Sequence, residues 1–373
     1  MPHVPDDSPD EQRALIALSL VPGVGPGRIR LLVNAFGSAA EALEAPRAAL
    51  ARLEGFGGIT ADAIVKFDGY DLVEEQWRRA CQVEARMVTE WDPLYPEALR
   101  TIYDPPVFLW MRGEAVAADQ RAIAIVGTRK PSEYGKRMSE RFAGELAERG
   151  YTIVSGLAYG VDAIAHAAAL QAGGRTLAVL GSGADWIYPA RNLPLAMRIQ
   201  AAGAIFSEYP LGARPDAVHF PRRNRIVSGL SLGTLVVEAY EKGGALITAG
   251  LALEQNREVF AIPSALTNAA GAGANRLIQR GHAKLVQSVD DVLIEIEPAF
   301  EAKSTPTAPP LDLNPTERQL YEALASEPIH IDTLCARTGF DTSTALVYLL
   351  SLEFKGLVFQ MAGKQFYISD RAR

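Results

Sequence analysis

The sequence predicts an α/β protein: an extended Rossmann-like parallel sheet, with a small helical domain of the helix-hairpin-helix (SAM-like) type before it and a winged helix after it. Three observations support this fold class. Short apolar runs alternate with amphipathic helical patterns between residues 121 and 297. Two glycine hairpins, each followed by an apolar-periodic helix, stand near the start of the chain. Near its end, three helical patterns are followed by two short apolar runs around a glycine.

Composition predicts the domain boundaries. A chain of 373 residues is long enough for two or three domains. Residues 297–312 are rich in Pro, Ala, Ser and Thr and have no apolar period, which indicates a linker. We therefore predict a helical domain over residues 1–85, a Rossmann-like domain over residues 86–297, a linker over residues 298–312 and a winged helix over residues 313–373. The prolines of residues 91–119 predict an irregular connector.

The helical domain contains VPGVGPG (residues 21–27) and LEGFGG (residues 53–58), before predicted helices at residues 29–36 and 59–66. Glycine hairpins of this kind can donate backbone N–H groups to a phosphate. Residues 1–80 carry 8 Lys+Arg and 12 Asp+Glu, a balance of 8 − 12 = −4. This acidic balance favours a packing or protein-contact domain over a DNA clamp, and both interpretations stay open.

The middle domain is predicted to contain seven strands, with the sequences AIAIVG, TIVSG, TLAVLG, AIFSEY, TLVVEAY, EVFAIP and KLVQS. Helical patterns between them, at residues 134–149, 161–171 and 245–256, indicate a parallel sheet covered on both faces. Glycines 127, 156, 181 and 183 follow predicted strands. Because ligands of such sheets bind at the carboxyl ends of the strands, we expect GTRK, SGLAYG and GSGADWIYPARN on one rim.

The last domain has the helix–helix–helix–hairpin order of a winged helix, with predicted helices beginning at Pro315 and covering residues 331–337 and 343–355. Helical spacing places four side chains of the third helix in the core: Leu346, Leu349, Leu350 and Phe354. Four others are expected to face outward: Thr344, Val347, Tyr348 and Ser351. This outward face lacks the basic and amide side chains that read base edges. We therefore expect a regulatory or partner-binding module and disfavour a sequence-specific transcription factor.

The charge distribution favours a nucleic-acid partner for the middle domain. The whole chain has a formal net charge of −7, but residues 121–288 carry 19 Lys+Arg and 12 Asp+Glu, a balance of 19 − 12 = +7. A phosphate backbone responds to local charge, because salt screens more distant charges within roughly 8–10 Å. The two cysteines predict neither a disulfide framework nor a zinc site. Together with the absence of a signal core or a long apolar run, they lead us to expect a cytoplasmic protein without membrane contact.

Signatures of catalysis are missing from the sequence. It has no GxxxxGK[ST], no full GxGxxG, no HExxH and no CxxC. Asp162 and His166 share a helix face and could ligate a metal, but a local hydrogen-bond network is the favoured interpretation. We expect no cofactor and no metal.

Basic and aromatic residues are concentrated on the predicted rim. Gly127, Thr128, Arg129 and Lys130 lie at a glycine turn before a helix, which is a general anion site. The segment HFPRRNR (residues 219–225) combines three arginines, an asparagine and an aromatic ring. Arginines bind phosphates, and a phenylalanine ring can stack on a base for about 1–3 kcal/mol. This combination favours single-stranded DNA, since a duplex hides its base faces.

Seven motifs in fixed order resemble the DNA-processing protein DprA (Smf) family: GTRKPSEYG, SGLAYGVDAIAH, GSGADWIYPARN, SEYPLG, HFPRRNRIVSGLS, VVEAYEKGGALITAGLALEQNREVFAIP and GAGANRLIQRGHAKLV. The resemblance is strong over about residues 90–290. It implies binding of single-stranded DNA, delivery of that DNA to the recombinase RecA in natural transformation, and homodimerisation through the Rossmann-like domain. It also implies a DNA pocket built from Arg129 and Phe220.

The predicted DNA-binding residues are Gly127, Thr128, Arg129, Lys130, Ser155, Gly156, Arg191, Asn192, His219, Phe220, Arg222, Arg223, Asn224, Arg225, Lys242 and Asn275. The predicted dimer interface contains Leu277, Ile278 and Leu285. Two positions depart from the family pattern. Ala217 stands where members often have a lysine, for which Arg214, Arg222 or Arg223 could compensate. Ser264 follows Pro263, where glycine is common.

A nucleoside-monophosphate phosphoribohydrolase is the alternative to a DNA-binding protein. Residues 233–238, GTLVVE, are similar to the GTxxE element of the lysine-decarboxylase-like members of that enzyme class. Those enzymes carry PGGxGTxxE, whereas GLSL precedes the element here, so most of the phosphate cradle is missing. We therefore expect Glu238 to be a structural carboxylate and expect no enzymatic turnover.

Overall fold

The computed structural model describes residues 8–304, 313–324, 329–355, 357–361 and 364–368. It divides into two compact units, one ending at Phe300 and the other beginning at Glu301. Most of the predicted linker, residues 305–312, lies outside the described residues.

The first unit begins with six helices: α1 Pro9–Leu20, α2 Pro26–Phe36, α3 Ala39–Glu44, α4 Arg47–Leu50, α5 Gly58–Val65 and α6 Tyr70–Gln82. Ser8 caps α1, and α2 and α5 each follow one of the glycine hairpins. The buried carboxylate of Glu11 accepts hydrogen bonds from the backbone amides of Ala39 and Ala40 at 2.6 and 3.1 Å. It thereby satisfies two amides at the start of α3 that have no partner within the helix.

The sheet of this unit has nine strands within the described residues: β1 Arg86–Thr89, β2 Phe108–Gly113, β3 Ala122–Val126, β4 Thr152–Ser155, β5 Thr176–Val179, β6 Ala204–Ser207, β7 Gly233–Val236, β8 Glu258–Ala261 and β9 Lys284–Leu285. Their order is β1-β2-β6-β5-β4-β3-β7-β8-β9. Strands β3 to β9 pair in parallel, and β1 and β2 are antiparallel additions at one edge. Successive strands after β3 are added on one side of it up to β6, and from β7 on they are added on the other side. Parallel sheets bind ligands at such a reversal of strand order, which here lies between β3 and β7.

Eight further helices belong to this unit or lead out of it: α7 Glu97–Arg100, α8 Glu133–Glu148, α9 Val161–Gln171, α10 Leu193–Ala202, α11 His219–Gly229, α12 Gly244–Glu254, α13 Ala272–Gln279 and α14 Val289–Ser304. Alternate residues of β3 belong to two separate cores. Ala124 packs with side chains of α11 and α12, and Ile125 packs with side chains of α8 and α9. Helices therefore cover both faces of the sheet, as the continuous apolar strands predict.

The prediction of an irregular connector over residues 91–119 is wrong in its second half. Residues Phe108–Gly113 form β2, which pairs with both β1 and β6. Leu109, Trp110 and Met111 are all buried in it. The prolines of the segment precede the strand, so they cost it no ladder hydrogen bond.

The second unit contains α15 Pro315–Ala323, β10 Ile329–His330, α16 Ile331–Thr338, α17 Thr342–Phe354, β11 Val358–Met361 and β12 Gln365–Ile368. The strands pair in the antiparallel order β10-β12-β11. Asn314 and Glu317 form a reciprocal capping box that starts α15. The predicted fold class, with a helical domain, a Rossmann-like sheet and a winged helix, is confirmed.

One predicted core residue of α17 is wrong. Leu349 and Leu352 are fully buried, whereas Leu350 is 52% exposed. With 3.6 residues per turn, positions 349 and 352 share one face and position 350 lies about 100° away from 349. Leu346 is partly buried against the core. The side chain of Phe354 lies outside the described residues.

The carboxylate of Glu317 joins α15 to α17. It is buried and accepts hydrogen bonds from Lys355 Nζ at 2.7 and 2.9 Å and from Ser351 Oγ at 2.6 Å. These donors lower the pKa of Glu317 to about 2, with Lys355 as the largest cause. An ionised carboxylate is therefore more stable in the folded unit than in the unfolded chain, where its pKa is about 4.3.

We expect the winged helix to lose stability as the pH falls. The contribution of Glu317 is complete above about pH 4.3 and is lost as the pH falls through the folded pKa of about 2. Hydrogen exchange of α15 and α17 in the full chain, measured between pH 5 and pH 2.5, should show this loss. Glu317→Gln should weaken protection at pH 5 and flatten the pH dependence. Equal pH dependence in the parent and the variant would contradict this role.

Candidate nucleic-acid interface

A cleft of about 390 Å³ opens at the carboxyl ends of the strands, at the point between β3 and β7 where the strand order reverses. We call it the rim cleft. Its lining comes from the loop after β3, the loop between β4 and α9, the first half of α11 and the start of α12. The topology thus brings together segments that are more than 100 residues apart in sequence.

Arg129 and Phe220 meet in the rim cleft. The guanidinium carbon of Arg129 lies 5.4 Å from the centre of the Phe220 ring. Arg129 is exposed, and no ion pair within the described part of the chain involves it. Its loop is fixed by the Thr128 amide, which donates to Glu238 O at 2.7 Å, and by the Val161 amide, which donates to Thr128 O at 3.2 Å. A cation on a rigid loop beside an aromatic ring can bind a phosphate and an adjoining base.

The Phe220 ring has aromatic and glycine neighbours. The ring of Tyr188 lies 6.1 Å from it, centre to centre, and Tyr188 is 43% exposed. A side chain at Gly181, two residues after β5, would place its Cβ 3.0 Å from the Phe220 ring and would crowd the ring in its present position. The partly exposed Tyr188 ring thus lies beside the Phe220 ring that lines the rim cleft.

The start of α12 is a part of the rim cleft that sequence reasoning missed. Gly243, Gly244 and Ala245 line the cleft, and no side chain caps this helix. The amides at a helix start lack partners within the helix and carry partial positive charge, so they favour an anion. The signal was present in the sequence: GGA directly before an apolar helical pattern, preceded by Lys242.

Arg223 forms part of the floor of the rim cleft. It is 4% exposed, and its Nη1 donates to Gly156 O at 2.7 Å and to Val179 O. Burial lowers the pKa of Arg223, and the nearby Asp162 opposes this. Burial likewise raises the pKa of Asp162, with Arg223 opposing. Nε and Nη1 of the guanidinium are thus engaged inside the protein, and contact of Arg223 with DNA stays a prediction.

Four other predicted DNA-binding side chains also serve the protein itself. Ser155 Oγ donates to Ile125 O at 2.6 Å, and Asn192 Nδ2 donates to Leu157 O at 2.9 Å. Asn275 exchanges two hydrogen bonds with the backbone of Ser264, and Arg225 forms ion pairs with Glu208 and Asp104. Polar groups that are buried in this way must be satisfied internally, and sequence alone gives no measure of burial.

The remaining predicted residues are distributed around the rim. Four of them line the rim cleft: Gly127, Thr128, Gly156 and Asn224. Three others have exposed side chains: Lys130, Arg191 and Lys242. His219 stacks on Tyr209, and Arg222 lines a different groove. Of the residues suggested to compensate for Ala217, Arg223 is buried, whereas Arg214 and Arg222 are exposed.

Glu238 and His166 are buried and form hydrogen bonds inside the protein. Glu238 is fully buried and accepts hydrogen bonds from Ser132 Oγ at 2.6 Å and from Asn268 Nδ2 at 2.8 Å. His166 Nδ1 lies 2.6 Å from Thr176 Oγ1, and burial lowers its pKa to about 3. Within the described residues, no group of three or more His, Cys, Asp or Glu side chains could hold a metal.

Family models match three segments of the chain. The model of DNA recombination-mediator protein A matches residues 86–297, which is more than half of the chain. The chain belongs to the DNA-processing protein A (DprA/Smf) family. The DprA winged helix domain matches residues 304–364, and the SAM-like helix-hairpin-helix tandem matches residues 15–67. The resemblance that the seven motifs indicate is confirmed.

Individual members of the DprA family agree with this assignment. Protein Smf of Synechocystis is 35% identical over 95% of this chain and 98% of its own length. The DNA processing protein DprA of Bacillus subtilis is 46% identical over 54% of this chain and 68% of its own length. The X-ray structure of DprA from Streptococcus pneumoniae covers 76% of this chain and 98% of its own, with a TM-score of 0.67 and 34% identity.

A second solved DprA structure bears on nucleic acid. It comes from Helicobacter pylori and concerns that protein's binding of single-stranded DNA. It is 31% identical, covers 58% of this chain and 97% of its own, and has a TM-score of 0.52.

None of the helices in the described part of the chain is long and apolar enough to cross a membrane.

Proposed function

We propose that this DprA-family protein binds single-stranded DNA through the rim cleft and is not an enzyme. The observation that carries the proposal is the exposed Arg129 guanidinium, 5.4 Å from the Phe220 ring and outside any ion pair of the described residues. Base stacking on Phe220, beside a phosphate bound by Arg129, requires unpaired bases, since the faces of paired bases are covered. The single-stranded DNA binding of the Helicobacter pylori protein supports the proposal.

The phosphoribohydrolase alternative would need an accessible carboxylate. Glu238 is fully buried, and Ser132 and Asn268 occupy its oxygens. We therefore infer a binding protein that needs neither cofactor nor turnover. We also propose that it protects incoming single strands and loads RecA onto them during natural transformation, and its membership of the DprA family supports this. We place it in the cytoplasm, where the free thiols of Cys81 and Cys335 are stable.

A titration that compares single-stranded DNA with blunt duplex DNA of the same length tests this function. We expect tighter binding of the single strand, little dependence on its sequence, and affinity that falls as salt rises, because phosphate contacts release counterions. Fluorescence anisotropy across a salt series measures all three properties. Equal or tighter binding of the duplex would overturn the proposal.

We further propose that the protein is a homodimer through the sheet edge at β9. Leu285 is 42% exposed on this edge strand. The other two predicted interface residues face inward: Leu277 is buried, and Ile278 packs against the core of its own chain. An exposed edge strand with an apolar side chain is suited to pairing with a second copy.

Leu285→Asp is expected to convert the dimer into a monomer, because it places a charge at the proposed interface. Light scattering at tens of micromolar protein, on the variant and the parent, measures the mass directly. Ile59→Asp, which puts the same charge at an exposed apolar residue of α5, is the matched control and should stay dimeric. A parent protein that is monomeric under these conditions contradicts the proposal.

A further inference from the structure

A second groove of about 390 Å³ lies between the N-terminal helices and the sheet. We call it the interdomain groove. Its N-terminal wall includes Ser19 of α1 and Gly25 at the start of α2. Its other wall includes Phe108 of β2, Tyr209 after β6 and Arg222 of α11. The function proposed above makes no use of this groove.

Helix α11 borders both the rim cleft and the interdomain groove. Phe220, Arg223 and Asn224 line the rim cleft. Arg222 and Arg225 line the interdomain groove. A strand bound on Phe220 therefore has only the start of one helix to cross before it reaches Arg222.

Aromatic rings connect the two sites. His219, directly before Phe220, stacks on Tyr209 with ring centres 4.0 Å apart and an angle of 23° between the planes. The Tyr209 hydroxyl also donates to His219 O at 3.1 Å, which fixes the pair. Tyr209 lines the interdomain groove. Tyr209 is buried and His219 is partly buried, so the stacked pair forms a fixed wall between the rim cleft and the groove.

The polar groups of the interdomain groove suit a nucleotide. Arg222 is exposed at its edge and forms no ion pair within the described part of the chain. Deeper in, Arg225 pairs with Glu208, and its buried Nη1 has no hydrogen-bond partner. Guanidinium donors and carboxylate acceptors recognise the edges of bases, and an exposed arginine recognises phosphate. A concave, mostly apolar site with a few convergent polar groups is the usual form of a ligand site.

We propose that the interdomain groove binds unpaired nucleotides of the same DNA strand that occupies the rim cleft. This inference rests on the function proposed above and adds a second subsite to it. The strand passes over the start of α11, contacts Arg222 through a phosphate, and places its bases in the interdomain groove. The occupant is nucleic acid because the groove continues the rim cleft through α11 and the aromatic pair His219–Tyr209.

The length of the oligonucleotide separates the two subsites in an experiment. An oligothymidylate of about six residues fills one subsite, and one of about twenty residues reaches both, given that single-strand sites commonly span roughly 4–16 nucleotides. Two variants obstruct only the interdomain groove. Arg222→Glu reverses the charge at its edge, and Ser19→Trp fills it from an exposed position on α1.

Both variants should bind the twenty-residue oligonucleotide about tenfold more weakly than the parent and bind the six-residue oligonucleotide equally well. The matched control is Arg137→Glu, which reverses an exposed arginine on α8, on the opposite face of the sheet from α11. It should leave both affinities nearly unchanged. Fluorescence anisotropy with labelled oligonucleotides measures all eight affinities at one salt concentration.

Parent-like binding of the longer oligonucleotide by both groove variants would overturn the inference and would favour a protein segment as the occupant. A loss in Arg222→Glu alone would also overturn it, because it would place the strand outside the groove. Failure of the proposed function itself is distinguishable. In that case Arg129→Ala would leave the binding of the six-residue oligonucleotide unchanged, whatever the groove variants do.

Discussion

Replacing Arg129 with alanine is expected to weaken single-stranded DNA binding about tenfold or more, equivalent to at least about 1.4 kcal/mol. The guanidinium is exposed, and no ion pair of the described residues engages it. Two backbone hydrogen bonds hold the loop of Arg129, and the Arg129 side chain takes part in neither of them. The substitution should therefore remove a phosphate contact without disturbing the fold, and should reduce the slope of log affinity against log salt by about one unit.

Phe220→Ala provides the matched comparison for Arg129→Ala. Loss of a stacking ring should cost about 1–3 kcal/mol of binding free energy. It should leave the salt slope unchanged, because stacking releases no counterion. Anisotropy titrations at four or more salt concentrations distinguish the two effects, with Arg137→Ala as a control for general charge. If both variants bind like the parent, the rim cleft is not the DNA site.

Replacing Arg223 with leucine is expected to have the largest effect on stability. The side chain is 4% exposed and donates to the carbonyl oxygens at Gly156 and Val179, which tie α11 to the ends of β4 and β5. Its removal leaves those two carbonyl oxygens without their donor and takes away the nearby positive charge that lowers the pKa of the buried Asp162. A buried acceptor left without a partner typically costs about 1–3 kcal/mol. Urea unfolding of the variant and the parent measures the difference.

Two comparisons isolate the role of Arg223. Arg222→Leu removes the exposed neighbouring arginine and should change the free energy of unfolding by less than about 0.5 kcal/mol. Adding Asp162→Asn to Arg223→Leu should restore part of the lost stability, because the unpaired carboxylate is then gone. An Arg223→Leu protein as stable as Arg222→Leu would show that the floor of the rim cleft does not depend on this guanidinium.

The fold could be predicted well because its elements leave local signals. Continuous apolar strands alternating with amphipathic helices specify a parallel sheet, and α9, predicted at residues 161–171, has those bounds in the structure. The strand β2 was missed because prolines 105 and 106 stand directly before it and suggest an irregular segment. Leu350 was misplaced because several leucines of one apolar helix fit the same spacing, and only packing against α15 and α16 selects among them.

The candidate site, like the fold, could be predicted from the sequence only in part. Sequence patterns alone establish the family, the fold class and the residue types of the site: a glycine turn with Arg129, and an aromatic ring among arginines. Which of those arginines reach solvent depends on the folded chain. Arg222, Arg223 and Arg225 stand within four residues of one another, yet one is exposed, one is buried on backbone carbonyls and one is paired with Glu208. Successive residues on a helix point about 100° apart. Their different surroundings are thus set by strands and loops far away in sequence.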